Sequence, residues 1–188
     1  MIEHATLIPV LQSEVVVSDN PHVVLVTGLG SCVAACLFDP VAGVGGMNHF
    51  LLPYGTARDG ESGLQFGLQA MQALVRAVLE AGGTRQNLAC KIFGGVAVVP
   101  LLDPIGEANT RLAKAYLAEA GISCVAKSVG GHSARRIRFW PTFGRVQHSF
   151  ITDHNEMSRI LDREEPLSAA SEKLEYATVL QEKMRHDT

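Results

Sequence analysis

The chain is predicted to fold as a layered domain of α/β or α+β class, on three observations. Short runs of β-branched and apolar residues, closed by Gly, Pro or Asp, fill the first fifty residues. Apolar residues then recur at helical spacing in two separate stretches, and a strand–turn–strand pattern returns near residue 140. Strands and helices in mixed order must each bury one face, and stacked layers achieve this. The strand order is not written in these patterns.

Glu14 to Val17 is the first β-branched run, and Val23 to Val26, opening after Pro21, is the second. Cys32 to Phe38 is apolar enough for a buried strand, Asp39-Pro40-Val41-Ala42-Gly43 is a turn, and Val44 to Leu52 returns as a strand closed by Pro53. Tyr54 to Gly63 reads as a polar loop. Leu64, Leu68, Met71, Val75 and Val78 then fall on one helical face, and Gly82-Gly83 supplies the stop. Ala89 to Phe93 is a strand ending at Gly94-Gly95, and Val96 to Leu102 is apolar without a deciding period. Asn109 to Ala120 is a second helix with Leu112, Ala115, Tyr116 and Leu117 as its apolar side and Gly121 as its cap. Ile122 to Ala126 is a strand. After Gly130-Gly131, Ile137 to Trp140 and Arg145 to Ile151 form an antiparallel pair about the turn at Pro141 to Gly144.

The organisation expected is one domain over residues 1–151 and a tail over 152–188. The tail is acidic, has no glycine, and shows a weak helical pattern around Leu174 to Met184. Hydrophobic residues make up 47% of the chain, enough for a sizeable core. The net charge of −3 leaves no basic field to neutralise phosphates, which excludes nucleic acid as a partner. The most apolar stretch, Val23 to Phe38, is shorter than the roughly 20 residues of a spanning helix and is broken by Gly28, Gly30 and Ser31, so no membrane insertion is expected. The first residues lack Lys and Arg, which predicts a cytoplasmic chain whose cysteines (Cys32, Cys36, Cys90, Cys124) stay reduced.

Chemistry concentrates at Thr27-Gly28-Leu29-Gly30-Ser31-Cys32, between two apolar strands. Glycines there allow unusual backbone conformations and leave room for a substrate. Such a turn can point N–H groups at one spot, so that a thiol attacking a carbonyl finds donors for the oxyanion. A thiol is mostly protonated at neutral pH and needs a base. His49, following Gly45-Gly46-Met47-Asn48 on the returning strand, is the best candidate, because a short turn brings the far ends of both strands together. Two plainer readings stand beside this one. A cysteine in an apolar strand is most often inert core, and a single histidine is most often structural. Cys36 would share a face with Cys32, but a Cys-Cys-His set at this spacing is a poor zinc signature, so no metal site is assigned.

The same residues resemble the chemoreceptor glutamine deamidase family, CheD. Thr27 to Val33 is similar to its cysteine motif, and Asp39-Pro40 with Gly45 to Pro53 is similar to its histidine motif. Lys91-Ile92-Phe93-Gly94-Gly95, Ile105-Gly106 with Asn109, Gly121-Ile122, and Gly130-Gly131 with Arg135 or Arg136 continue the likeness, which covers about Val16 to Ile151. The resemblance implies a layered sandwich of two mixed β-sheets with helices packed outside. It implies hydrolysis of glutamine side-chain amides on methyl-accepting chemotaxis receptors, giving glutamate and ammonia. Cys32 would be the nucleophile, His49 the general base and then the acid, and Thr27 the residue that orients His49. Backbone donors around Gly30 and Ser31 would hold the oxyanion. No metal or organic cofactor is implied.

The resemblance also implies a possible partner, a CheC-like chemotaxis phosphatase, and hence an alternative role as a regulatory binding module. Ala108 stands where the family usually has arginine, which puts a partner surface there in doubt. A different thiol amidase or peptidase is the other alternative. Arg135, Arg136 and Arg138 form a basic cluster suited to an acidic receptor surface.

Overall fold

A computed structural model describes residues 5–52, 61–97, 103–160 and 162–163. The early runs become β1 (Thr6–Pro9), β2 (Val15–Ser18), β3 (Val23–Leu29), β4 (Val33–Asp39) and β5 (Val44–Asn48). They are followed by α1 (Glu61–Glu80), β6 (Ala89–Gly94), α2 (Asp103–Glu119), β7 (Ser123–Val129), β8 (Arg135–Trp140) and β9 (Arg145–Phe150). Four strands form one sheet in the order β1-β3-β8-β9, and five form the other in the order β2-β5-β4-β6-β7. Both sheets are mixed: β1 with β3 and β6 with β7 run parallel, and the remaining pairs are antiparallel.

α1 packs on β2, β4 and β5, while α2 packs on β4, β6 and β7, so both helices cover the five-stranded sheet. The other face of that sheet meets the four-stranded sheet. Leu25, Leu29, Ile137 and Phe139 from one side join Ala34, Cys36, Phe38 and Phe93 from the other in a single apolar cluster. The rings of Phe38 and Phe139 meet between the sheets with centroids 6.4 Å apart. β4 is the middle strand of its sheet, with helices on one face and strands on the other. Every residue of β4 is therefore buried, which is why its sequence shows an apolar run and no alternation. Truncating a fully buried leucine there, such as Leu37→Ala, would cost about 2–5 kcal/mol.

Several boundaries move. α1 starts at Glu61, so Glu61 to Gly63 are helical where a loop was expected, and residues 54–60 of that loop lie outside the described residues. Leu68 is exposed; Met71, Leu74, Val75 and Val78 carry the buried stripe. α2 starts at Asp103, six residues before Asn109, because Pro104 in a first turn forfeits no helical hydrogen bond. On its apolar side Ala115 is exposed and Ala113 is buried in its place. β5 stops at Asn48, whose Oδ1 accepts the Ala35 N–H at 2.9 Å and so replaces a ladder bond. β1 has no counterpart in the sequence reading. Of the ambiguous Val96 to Leu102 stretch, residues 98–102 lie outside the described residues, as does the pattern around Leu174 to Met184.

Residues 154–160 are helical. Ile160 and Met157 pack on Ala134 and Ile151 as a small satellite cluster. Among the described residues no helix is long and apolar enough to cross a membrane.

Candidate active site

β4 and β5 hold one register from Phe38–Gly45 to Cys36–Met47, and the bridge between Val33 and Phe50 continues it. Val33 and Phe50 exchange both N–H···O bonds at 2.9 Å. In that register Cys32 and His49 are diagonal neighbours on adjacent strands, with side chains on the same face. Both line one cleft of about 700 Å³, together with Thr27 and Gly28. Val10, Leu11 and Gln12 form one wall, and Arg136, Arg159 and Ile160 form the other. Cys32 is 0% exposed and His49 8%, so a narrow side chain reaching inward is the kind of group that meets them.

Three hydrogen bonds define the imidazole. The Thr27 hydroxyl donates to the Val10 carbonyl at 2.9 Å, which uses its only proton. His49 Nδ1 lies 3.0 Å from Thr27 Oγ1 and 3.3 Å from the same Val10 carbonyl. A carbonyl cannot donate, so both contacts are attractive only if Nδ1 carries the proton. This assigns the Nδ1–H tautomer and leaves the lone pair on Nε2, the form a general base requires. The His49 backbone is pinned as well. Its carbonyl accepts Ser13 N–H at 2.7 Å and its N–H donates to Glu14 O at 3.2 Å. Ser13 adopts φ 71°, a conformation that costs a non-glycine residue energy, to make that approach. Next to it, Gln12 Oε1 lies 3.6 Å from Cys32 Sγ.

The loop before β4 is held through its carbonyls. Gly30 O accepts Val96 N–H at 2.9 Å, and Cys32 O accepts Gly95 N–H at 2.8 Å. Ser31 O accepts Asn109 Nδ2 at 2.9 Å. Gly94 adopts φ 107°, and a Cβ there would stand 2.1 Å from the Cys32 carbonyl, so only glycine fits. Gly28 is different: its φ is ordinary, contrary to the expectation of an unusual backbone at that position. What it supplies is space, because an added Cβ would lie 3.0 Å from Ile160 Cδ1.

Cys32, His49, Thr27, Gly30 and Ser31 are thus gathered at one place. The basic cluster is not. Arg135 is buried at 4% exposure, donating from Nε to Ser128 Oγ at 3.0 Å and from an Nη to Gly130 O at 2.7 Å. Burial draws its guanidinium below the ordinary arginine value. Arg136 faces the cleft, paired with Glu156. Gln12 and Ile160 escaped the sequence reading, and Asn109 entered it as a helix start and as part of the Ile105-Gly106 likeness, with no role assigned.

Electrostatics elsewhere are structural. Burial pushes the Cys36 and Cys90 thiols far above the ordinary range, which keeps them protonated core. Burial also raises the Asp39 carboxyl, but N–H bonds from Ala42, Thr84 and Val41 and the Asn87 side chain outweigh this and hold it below its usual value. Among the described residues no three His, Cys, Asp or Glu side chains converge as metal ligands would.

Comparison with known proteins places the chain in a family. Residues 51–149 match the family model described as CheD chemotactic sensory transduction, a span beginning two residues after His49. A Cereibacter sphaeroides protein named "Probable chemoreceptor glutamine deamidase CheD" is 51% identical over 142 residues, covering 76% of this chain and 71% of the relative. A Caulobacter protein of the same name is 43% identical over 157 residues, covering 83% of this chain and 84% of the relative. Among solved structures, Bacillus licheniformis YfiH aligns with a TM-score of 0.39 at 17% identity, over 61% of this chain and 49% of that one. With a matched family model over half its length and relatives this similar over most of theirs, the chain belongs to the CheD family.

Proposed function

We propose that the chain is a chemoreceptor glutamine deamidase acting in the cytoplasm, with Cys32 as nucleophile and His49 as base and acid. The observation that carries the mechanism is the imidazole fixed as the Nδ1–H tautomer by Thr27 and Val10, on the same strand face as the thiol. His49 Nε2 takes the Cys32 proton, and the sulfur attacks the carboxamide carbon of a receptor glutamine. The C–S bond forms while the carbonyl becomes an oxyanion, held by N–H donors of the Gly30 to Cys32 loop. As the carbonyl re-forms, the C–N bond breaks and His49 returns the proton, releasing ammonia. A water deprotonated by His49 then attacks the thioester, giving glutamate and restoring the thiol. No step draws on a metal or organic cofactor.

The name borne by the relatives supports receptors as substrate. The cleft supports it too: Arg136, Arg159 and Arg163 rim an opening with a buried thiol at its base, which suits a glutamine on an acidic surface. Ala108 is buried at 8%, so its departure from the family pattern alters interior packing and does not favour a purely regulatory, phosphatase-binding role.

The test is incubation with receptor cytoplasmic fragments and mass spectrometry of their glutamines. Gln-to-Glu conversion that disappears in Cys32→Ala is expected. Conversion that survives the substitution, or backbone cleavage without ammonia, would sink the assignment. Recovery of a CheC-like phosphatase with no deamidation of any receptor would favour the binding role.

A further inference from the structure

Asn109 sits inside α2, yet both ends of its carboxamide are engaged by the two segments that carry the candidate nucleophile and base. Nδ2 donates to Ser31 O at 2.9 Å, and Oδ1 accepts the Leu52 N–H at 2.8 Å. The residue is 0% exposed. Ser31 immediately precedes Cys32, and Leu52 lies three residues beyond His49. A neutral side chain that donates and accepts in one plane is needed to bridge them.

Peptide planarity turns this anchor into a direction. In a trans peptide the C=O and N–H point in opposite directions. Ser31 O is drawn towards α2, so the N–H of Cys32, in the same peptide unit, is aimed away from α2. α2 contributes none of the described cleft lining, which comes from the end of β1 and the segment after it, β3, Cys32 just before β4, His49 just after β5, Arg136 of β8, and Glu156, Arg159, Ile160 and Arg163. The Gly30 carbonyl, held by Val96 N–H, orients the preceding peptide in the same manner. Asn109 is the side-chain member of this set of carbonyl anchors.

We infer that Asn109 is a positioning residue for amide hydrolysis, holding the Ser31–Cys32 peptide so that the Cys32 thiol and its peptide N–H meet the substrate carbonyl together. The inference rests on Cys32 being the nucleophile. Asn109 touches neither substrate nor the reacting atoms. Its loss should leave the thiol reactive and misalign what receives the oxyanion.

The test uses the full chain with Asn109→Ala and Asn109→Asp, a receptor fragment as substrate, and iodoacetamide as a thiol probe. For Asn109→Ala the expected result is a kcat lower by about 100-fold, with KM changed by no more than about threefold. Cys32 alkylation per folded molecule should stay near the parent's rate. Asn109→Asp supplies a pH signature. Protonated, its carboxyl donates to Ser31 O and accepts from Leu52 as the amide does; ionised, it can only repel the Ser31 carbonyl. Burial raises the pKa of such a carboxyl, so the ratio of variant to parent kcat should fall as pH rises from about 5 to about 9, with folding checked by circular dichroism at each pH.

A folded Asn109→Ala with the parent's kcat overturns the inference. So does a variant that loses alkylation and turnover in equal proportion. If Asn109→Ala does not fold, the Asn109→Asp ratio decides alone, and a flat ratio overturns it. Cys32→Ala separates the two levels: turnover that survives in it refutes the nucleophile itself, whereas its loss beside an unaffected Asn109→Ala refutes only the role of Asn109.

Discussion

Thr27 Oγ1 and His49 Nδ1 stand 3.0 Å apart although they come from different sheets, β3 in the four-stranded one and the end of the β4–β5 ladder in the other. The hydroxyl gives its own proton to Val10 O and so can only accept from the imidazole. Thr27→Val keeps the shape and removes the acceptor. Its kcat on a receptor fragment is expected to fall by about 10- to 100-fold, with KM little changed, while Thr27→Ser stays within a few-fold of the parent. Equal loss in both variants would show that the methyl group, not the hydroxyl, matters.

On the proposed mechanism, His49→Gln removes the base but not the thiol. Turnover should fall by about 10²- to 10⁴-fold, and Cys32 alkylation by iodoacetamide should slow with it. Cys36 and Cys90 should stay unlabelled in the folded protein, since both are fully buried and burial keeps their thiols protonated. Peptide mapping of the labelled protein checks this; native labelling of Cys36 or Cys90 would contradict it.

Asp39 anchors the turn at the opposite end of β4. Its Oδ1 accepts Val41 and Ala42 N–H at 2.8 and 2.9 Å, and its Oδ2 accepts Thr84 N–H at 2.8 Å. Asp39→Ala removes three part-buried hydrogen bonds to a charged acceptor and should cost about 1–3 kcal/mol in urea unfolding, with activity per folded molecule unchanged. Because the folded-state carboxyl is held below its unfolded value, its stabilisation is present above the unfolded pKa and is lost as pH falls through the folded one. The gap between parent and Asp39→Asn should therefore narrow on acidification. A gap that widens in acid would reverse the sign of the coupling.

Arg159 is exposed on the cleft wall and can be inverted without disturbing the core. Arg159→Glu should raise KM for an acidic receptor fragment while leaving Cys32 alkylation by iodoacetamide unchanged. The penalty should shrink as salt approaches about 0.5 M. A KM difference that salt does not touch would mean that Arg159 packs against the substrate rather than attracting it.

Legibility in the sequence followed the range of the contacts. Cys32 and His49 were readable as neighbours because a five-residue turn and a two-residue period set their register locally. Helix ends marked by Gly83 and Gly121 were readable, but the start of α2 was obscured by an early proline. Arg135 was misread as surface, although the alternation was there: Ile137 and Phe139 point inward, and a period of two puts Arg135 on their side. The contacts of Asn109 were not legible, since a polar residue on a helix gives no sign of a partner 78 positions away. Nor was β1, an exposed edge strand of four residues whose pattern carries no burial signal. Ile160 is one apolar contact inside an acidic stretch, and composition hides it.

Thr27 and His49 straddle the gap between two sheets that otherwise touch through apolar side chains such as Phe38 and Phe139. Apolar contacts tolerate small slips because they have no direction, whereas a hydrogen bond weakens steeply with angle and distance. The imidazole therefore acts as a caliper on the sandwich. On the proposed mechanism, a core substitution that leaves the melting temperature almost untouched but slides one layer over the other would register first as lost turnover, which would make catalysis a finer gauge of how this protein is packed than its stability.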